Sequence, residues 1–134
     1  MKKNPKKPFL PLEEVKAIDE FALSLTAQTQ LPCPPDHADI LGKRFRISKM
    51  NGSTVDKEDA DGMMDLASQL IWYREHPALG YNQDTTLHEI LHAIDESMQL
   101  KLGEHRVHQL ASSLLALIKH NPELIQWLLI KDAH

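Results

Sequence analysis

Apolar residues recur every three or four positions from Leu12 to about Gln28, at Val15, Ile18, Ala22 and Leu25, with acids early in the run. This spacing predicts a helix. LPCPPD ends it, because its prolines impose an extended connection in which no helix survives. Arg44 to Lys49 alternates charged residues with Phe45 and Ile47, the period of a half-buried strand, and NGST at 51–54 reads as the turn after it. The acidic run DKEDADG at 56–62 lacks the ligand spacing of an EF-hand and reads as a solvated loop. QLIWYRE, 69–75, gathers two aromatics and an isoleucine and predicts a second strand, ended by His76-Pro77 and a loop at Gly80.

Helical periodicity returns beyond that loop. Asn82 or Asp84 can cap a helix whose apolar stripe is Leu87, Ile90, Leu91, Ile94 and Met98. Gly103 breaks the pattern, and a further helix from Glu104 directs Val107, Leu110, Ala111, Leu114, Leu117 and Ile118 toward the core. Asn121-Pro122 then starts a last amphipathic helix, with asparagine as N-cap and proline in the first turn. The whole is helix-rich with a small extended part.

Bulk figures limit what such a chain is. At 134 residues it has the length of one domain, expected as a basic tail over 1–11, a helix and proline-rich linker over 12–40, and a core over 41–134. Hydrophobic residues at 42% and charged residues at 25% fit an ordinary globular protein. A formal charge of −4 argues against a nucleic-acid binder in spite of the basic MKKNPKK, and no segment approaches the ~18 apolar residues of a membrane span. The apolar stretch after MKKNPKK is interrupted by Pro11, Glu13 and Glu14, unlike a signal peptide. A single cysteine, Cys33, cannot form an internal disulfide, which fits a reducing, cytoplasmic setting. The eight histidines are the unusual feature.

Two of those histidines stand in TLHEILH, 86–92. Residues four apart on a helix share a face, so His88 and His92 can direct imidazole nitrogens at one point, where a zinc ion fits. Glu89, rotated about 100° around the axis, reaches beside that point, where a carboxylate can take a proton from a water on the metal. This is the HExxH pattern of zinc peptidases. A third protein ligand must come from downstream, from Glu104 or His108. Both share a face with Val107, Ala111 and Leu114, and a carboxylate buried there is costly unless paired or bound to metal. Geometry constrains Glu104. Were the preceding helix to run to Leu102, its end would lie about 15 Å from the metal, at ~1.5 Å per residue. The helix must therefore stop near Met98 or Gln99 and the chain return through Lys101 and Gly103; His108 would reach with less strain.

TTLHEILHAIDE followed by LGEHRVHQLASSLLALIKHNPELIQWL resembles small phage and prophage metallopeptidase-like proteins of the gluzincin branch of zincins, over about residues 69–130. The resemblance implies a minimal α+β zincin-like fold, mostly helical, with a small antiparallel sheet packed on the HExxH helix. It also implies a glutamate as third ligand on the next helix, matched by Glu104, and an acid one turn later that steadies a histidine, where this chain has His108. That departure leaves His108 either as a partner behind a ligand or as the ligand itself. Asp95, one turn beyond His92, is a candidate to orient its imidazole. A peptide or protein substrate is expected along the edge of a strand, with Ile71, Trp72 and Tyr73 as that strand, and Tyr73, Tyr81 or His76 as stabiliser of the oxyanion. The expected activity is Zn2+-dependent peptide hydrolysis with Glu89 as general base, in a bacterial or phage-infected cell; the alternative is a catalytically inactive binding module with structural zinc or none.

Overall fold

The computed structural model describes residues 31–50 and 60–133. The helix expected over 12–28, the turn at 51–54 and most of the acidic run lie outside these residues. Contacts divide the chain into two units, Cys33–Pro122 and a second formed by Met1–Pro32 with Glu123–His134.

The first unit is α+β. Its strands are β1 (His37–Ile40), β2 (Lys43–Lys49), β3 (Gly62–Asp65) and β4 (Leu70–Tyr73), and its helices are α1 (Leu79–Met98) and α2 (Glu104–His120). A short helix, α3 (Pro122–Leu128), follows and lies in the second unit apart from its first residue. The sheet order is β1-β2-β4-β3, with β2 and β4 parallel and the other two pairs antiparallel. The sheet is thus mixed, not antiparallel throughout. β1 joins β2 through Leu41 and Gly42, both at positive φ, the backbone of a tight hairpin turn.

One face of the sheet carries the core. Alternation along β2 buries Phe45 and Ile47, alternation along β4 buries Ile71 and Tyr73, and the register aligns Ile47 with Ile71 and Ile71 with Met64. Ala93, Ile90 and Ile94 of α1 close over them. The asparagine expected at the helix start does different work. α1 begins two turns of chain earlier than the apolar stripe suggests, after Ala78, with Gly80 inside its first turn and no side-chain cap. Asn82 is buried and grips the incoming strand end: its Oδ1 accepts from the His76 amide at 2.7 Å and its Nδ2 donates to the His76 carbonyl at 2.9 Å.

The face that α1 buries also differs from the expected stripe. Asn82, Thr85, Thr86, Glu89, Ala93 and Asp95 are buried, while Leu87 and Leu91 are half-buried and Met98 is exposed. Small and polar residues let the sheet edge approach closely. At Gly62, the first residue of β3, an added Cβ would lie 2.8 Å from Thr85 Cγ2, 3.2 Å from Glu89 Cγ and 3.1 Å from the Trp72 carbonyl oxygen.

α1 stops where a returning chain requires. Gln99 adopts the left-handed conformation, Lys101 and Gly103 follow at positive φ, and Asp95 Oδ1 accepts the Leu102 amide at 3.1 Å. α2 then runs antiparallel to α1: Glu104 faces His92, His108 faces His88, and the Ser112 hydroxyl donates to Asp84 Oδ1 at 3.2 Å. Four residues back along one helix match four forward along the other. Val107 and Ala111 are buried in this hairpin, but Leu110, Leu117 and Ile118, expected to face the core, are exposed. Asn121 likewise bonds backward, donating from Nδ2 to the Leu117 carbonyl at 2.8 Å and closing α2, while Pro122 opens α3 as expected. No helix among the described residues is long and apolar enough to cross a membrane.

Because the backbone of β3 touches α1 at Gly62, substitution there is expected to overpack the contact. Gly62→Ala should lower unfolding stability by about 1–3 kcal/mol, read by urea denaturation; a midpoint equal to wild type would show that the strand is free to move away.

Candidate metal centre

HEILH lies in the middle of α1, so helical geometry alone sets His88 and His92 one turn apart on one face. The early stop of α1 and the return through Gly103 supply the third group. His88 Nε2 lies 2.7 Å from Glu104 Oε1, His92 Nε2 lies 2.7 Å from Glu104 Oε2, and the two imidazole nitrogens are 3.1 Å apart. A donor atom from each of His88, His92 and Glu104 falls within 4.8 Å of the others. Between the two third-ligand candidates, the chain brings Glu104 into the group. His108 stands alongside, its ring centroid 6.0 Å from that of His88.

These three side chains suit a cation. If each imidazole donated its Nε2 proton to the carboxylate, two N–H groups would confront each other at 3.1 Å. A tetrahedral ion of zinc's size holds its nitrogen and oxygen ligands about 3.3 Å apart, so seating one asks the donors to back off by a few tenths of an ångström. Glu104 can give way readily, since its side chain is 73% exposed. Desolvation raises the Glu104 carboxyl, but the charge and hydrogen bonds of His88 and His92 outweigh it and hold the group below its ordinary value.

Glu89 sits beside the triad, 8% exposed and facing a cavity of about 260 Å³ that His88, Glu104 and His108 also line. Burial pushes its carboxyl up to about 7; His92 pulls against this and Glu104 adds to it. A carboxyl poised there exchanges protons near neutral pH.

Other expected site residues fall elsewhere. β4 is hydrogen-bonded on both sides, to β2 and to β3, so Ile71, Trp72 and Tyr73 cannot receive an added strand. Ile71 and Tyr73 belong to the core. The strand edge beside the cavity is β3, which GMMD barely announces. Of the three oxyanion candidates, Tyr73 is buried, with burial raising its phenol, and His76 stacks on Tyr81 at a centroid distance of 4.4 Å. Tyr81 alone lines the cavity; its hydroxyl donates to Asp61, a bond that raises its phenol. Asp95, a candidate to orient His92, instead holds the Leu102 amide. Sequence reasoning passed over Asp61, Gly62 and Asp84 as cavity residues. Asp84 was accessible to it, one turn before His88 on the same face, whereas Asp61 and Gly62 arrive by strand pairing that no local pattern reveals.

No protein-family model, curated protein or solved structure shows significant similarity to this chain.

Two outcomes are expected. Because the folded-state value of Glu89 lies above its ordinary 4.5, the fold favours the protonated form, and that contribution is complete below pH 4.5 and lost as pH rises through about 7. In denaturation of metal-free protein across this window, Glu89→Gln should lose less stability than wild type; parallel curves would contradict the burial of a carboxylate. Asp95→Ala should release the return loop and weaken affinity for added zinc about tenfold or more, measured by chelator competition, and unchanged affinity would show that Glu104 is held otherwise.

Proposed function

We propose that this chain is a minimal zincin-like zinc peptidase of the gluzincin type, in keeping with the likeness of its HEILH and downstream helix to phage metallopeptidase-like proteins. The observation that carries this reading is the meeting of His88 and His92 with opposite oxygens of Glu104 at 2.7 Å, beside a buried glutamate that faces a cavity. Two imidazoles and a carboxylate are a borderline donor set that zinc favours, and three protein ligands leave a position open. When bound, zinc polarises a peptide carbonyl and makes the attacking water acidic enough to lose a proton near neutral pH.

The chain's own residues account for the remaining steps. Glu89 accepts the proton of the attacking water and returns it to the departing amine. Its burial disfavours the charged carboxylate and so favours taking up that proton. Tyr81 stands in the cavity wall, and its hydroxyl, on turning away from Asp61, can donate to the carbonyl oxygen as it gains charge. Substrate lies along β3, whose outer edge is unpaired among the described residues and can take an extended peptide as one more strand.

One observation favours a second reading. His108 also lines the cavity, next to His88, and as a fourth protein ligand it would close the coordination shell and leave a structural site in a binding module. Zinc titration into metal-free protein, with hydrolysis of an unfolded protein followed in wild type and Glu89→Gln, separates the two. Both proteins should take up one equivalent of zinc, and the substitution should slow hydrolysis by about 10²-fold or more. Equal rates, or tight zinc with no hydrolysis in either, would favour the binding module.

A further inference from the structure

Asp61 and Asp84 line the same cavity as His88 and Glu104 yet stand outside the donor group. Asp61 precedes β3 and accepts the Tyr81 hydroxyl; Asp84 lies one turn before His88 on α1 and accepts the Ser112 hydroxyl at 3.2 Å. Neither is ion-paired among the described residues. Arg74 is close enough to act electrostatically on Tyr81, but it does not line the cavity. A third carboxylate, Glu89, is more than nine-tenths buried, has no hydrogen-bond partner among the described residues, and faces the same space. With Glu104, four carboxylates border one cavity that no lysine or arginine among the described residues lines.

Carboxylates gathered at one cavity concentrate negative potential in it. Zinc answers to His88, His92 and Glu104, which leaves Asp61 and Asp84 unmatched. A second ion is a poor fit, because among the described residues His88, His92 and Glu104 form the one group of three donors within 4.8 Å. The cavity, about 260 Å³ and roughly eight or nine water volumes, suits a longer occupant.

We propose that this cavity binds the side chain of a lysine or arginine next to the scissile bond, with Asp61 and Asp84 holding its positive charge. The assignment of that residue to a scissile bond rests on the peptidase reading; the preference for a cationic side chain does not. Asp61 adjoins the strand edge on which the peptide would lie, and Asp84 adjoins the metal ligands, so together they flank the path from the bound backbone to the reacting carbonyl.

Zinc-loaded full-length Glu89→Gln is the background for the test, and fluorescence anisotropy measures its affinity for labelled peptides that differ only in one central residue, lysine, methionine or glutamate. The lysine peptide should bind about tenfold or more tighter than the methionine peptide, and the glutamate peptide weakest. Adding Asp61→Asn and Asp84→Asn should bring the three close together while one equivalent of zinc is still bound. In the background protein, raising ionic strength should weaken the lysine peptide selectively, a readout independent of how the substituted proteins fold. Equal binding of all three peptides, binding of none, a lysine preference that survives both substitutions, or a second equivalent of zinc lost with them would overturn the proposal. Lysine-selective binding with no cleavage by wild type would leave the cation-binding pocket standing and remove the peptidase reading.

Discussion

His92 and Glu104 are twelve residues apart, and they meet because the chain reverses within the five residues from 99 to 103. The reversal is energetically uphill by itself. Gln99 and Lys101 occupy the left-handed region, where a side chain costs roughly 1–2 kcal/mol, and Gly103 alone takes such a conformation freely. Asp95 offsets part of this from below, buried in the last turn of α1 with its carboxylate on the Leu102 amide and its backbone carbonyl on the Leu100 amide. Val107 and Ala111 offset more from above by burial against α1. An unreversed helix would leave His88 and His92 facing solvent with no third group near them.

Once the turn is fixed, the antiparallel register follows, and it arranges more than the metal donors. Pairing His92 with Glu104 necessarily sets His108 by His88 and Ser112 by Asp84. The third wall comes from the sheet. β3 meets α1 at Gly62, close enough that a methyl group would strike Thr85, Glu89 and a carbonyl oxygen, and the Tyr81–Asp61 hydrogen bond ties the start of that strand to the first turns of the helix. The core cluster of Phe45, Ile47, Ile71, Tyr73 and Ala93 holds the sheet beneath α1 and so positions a strand edge next to the histidines.

Local pattern made part of this legible. HEILH located the histidine pair and the buried glutamate beside it, Gly103 located the break, and the length of an α-helix required a stop near Met98, where α1 does end. β2 and β4 were visible as alternating or aromatic-rich runs. What escaped was non-local. Leu41-Gly42 lacks the asparagine or aspartate that usually marks a two-residue hairpin, so β1 went unseen. GMMD trails an acidic run and has weak strand propensity; it is a strand because β4 lends it hydrogen bonds. With β3 missing, LIWY looked like an edge. On α1 the apolar stripe misled for a related reason: at the closest approach of β3 the fold needs threonine, alanine and a carboxylate, and the larger residues turn partly away.

The same close approach explains why a small domain keeps Glu89 where it is. The side chain lies against Gly62, desolvated enough that its carboxyl rises to about 7, with the charge of Glu104 raising it further. For stability alone, a glutamine or leucine would be better placed there. Asp61 and Asp84 bring two more acids to the same cavity, which no lysine or arginine among the described residues lines. A fold that gathers these acids around two convergent imidazoles gains stability when positive charge arrives. On this argument the electrostatics of the cavity, more than its shape, would link the histidine–glutamate triad to the charged occupant proposed for it.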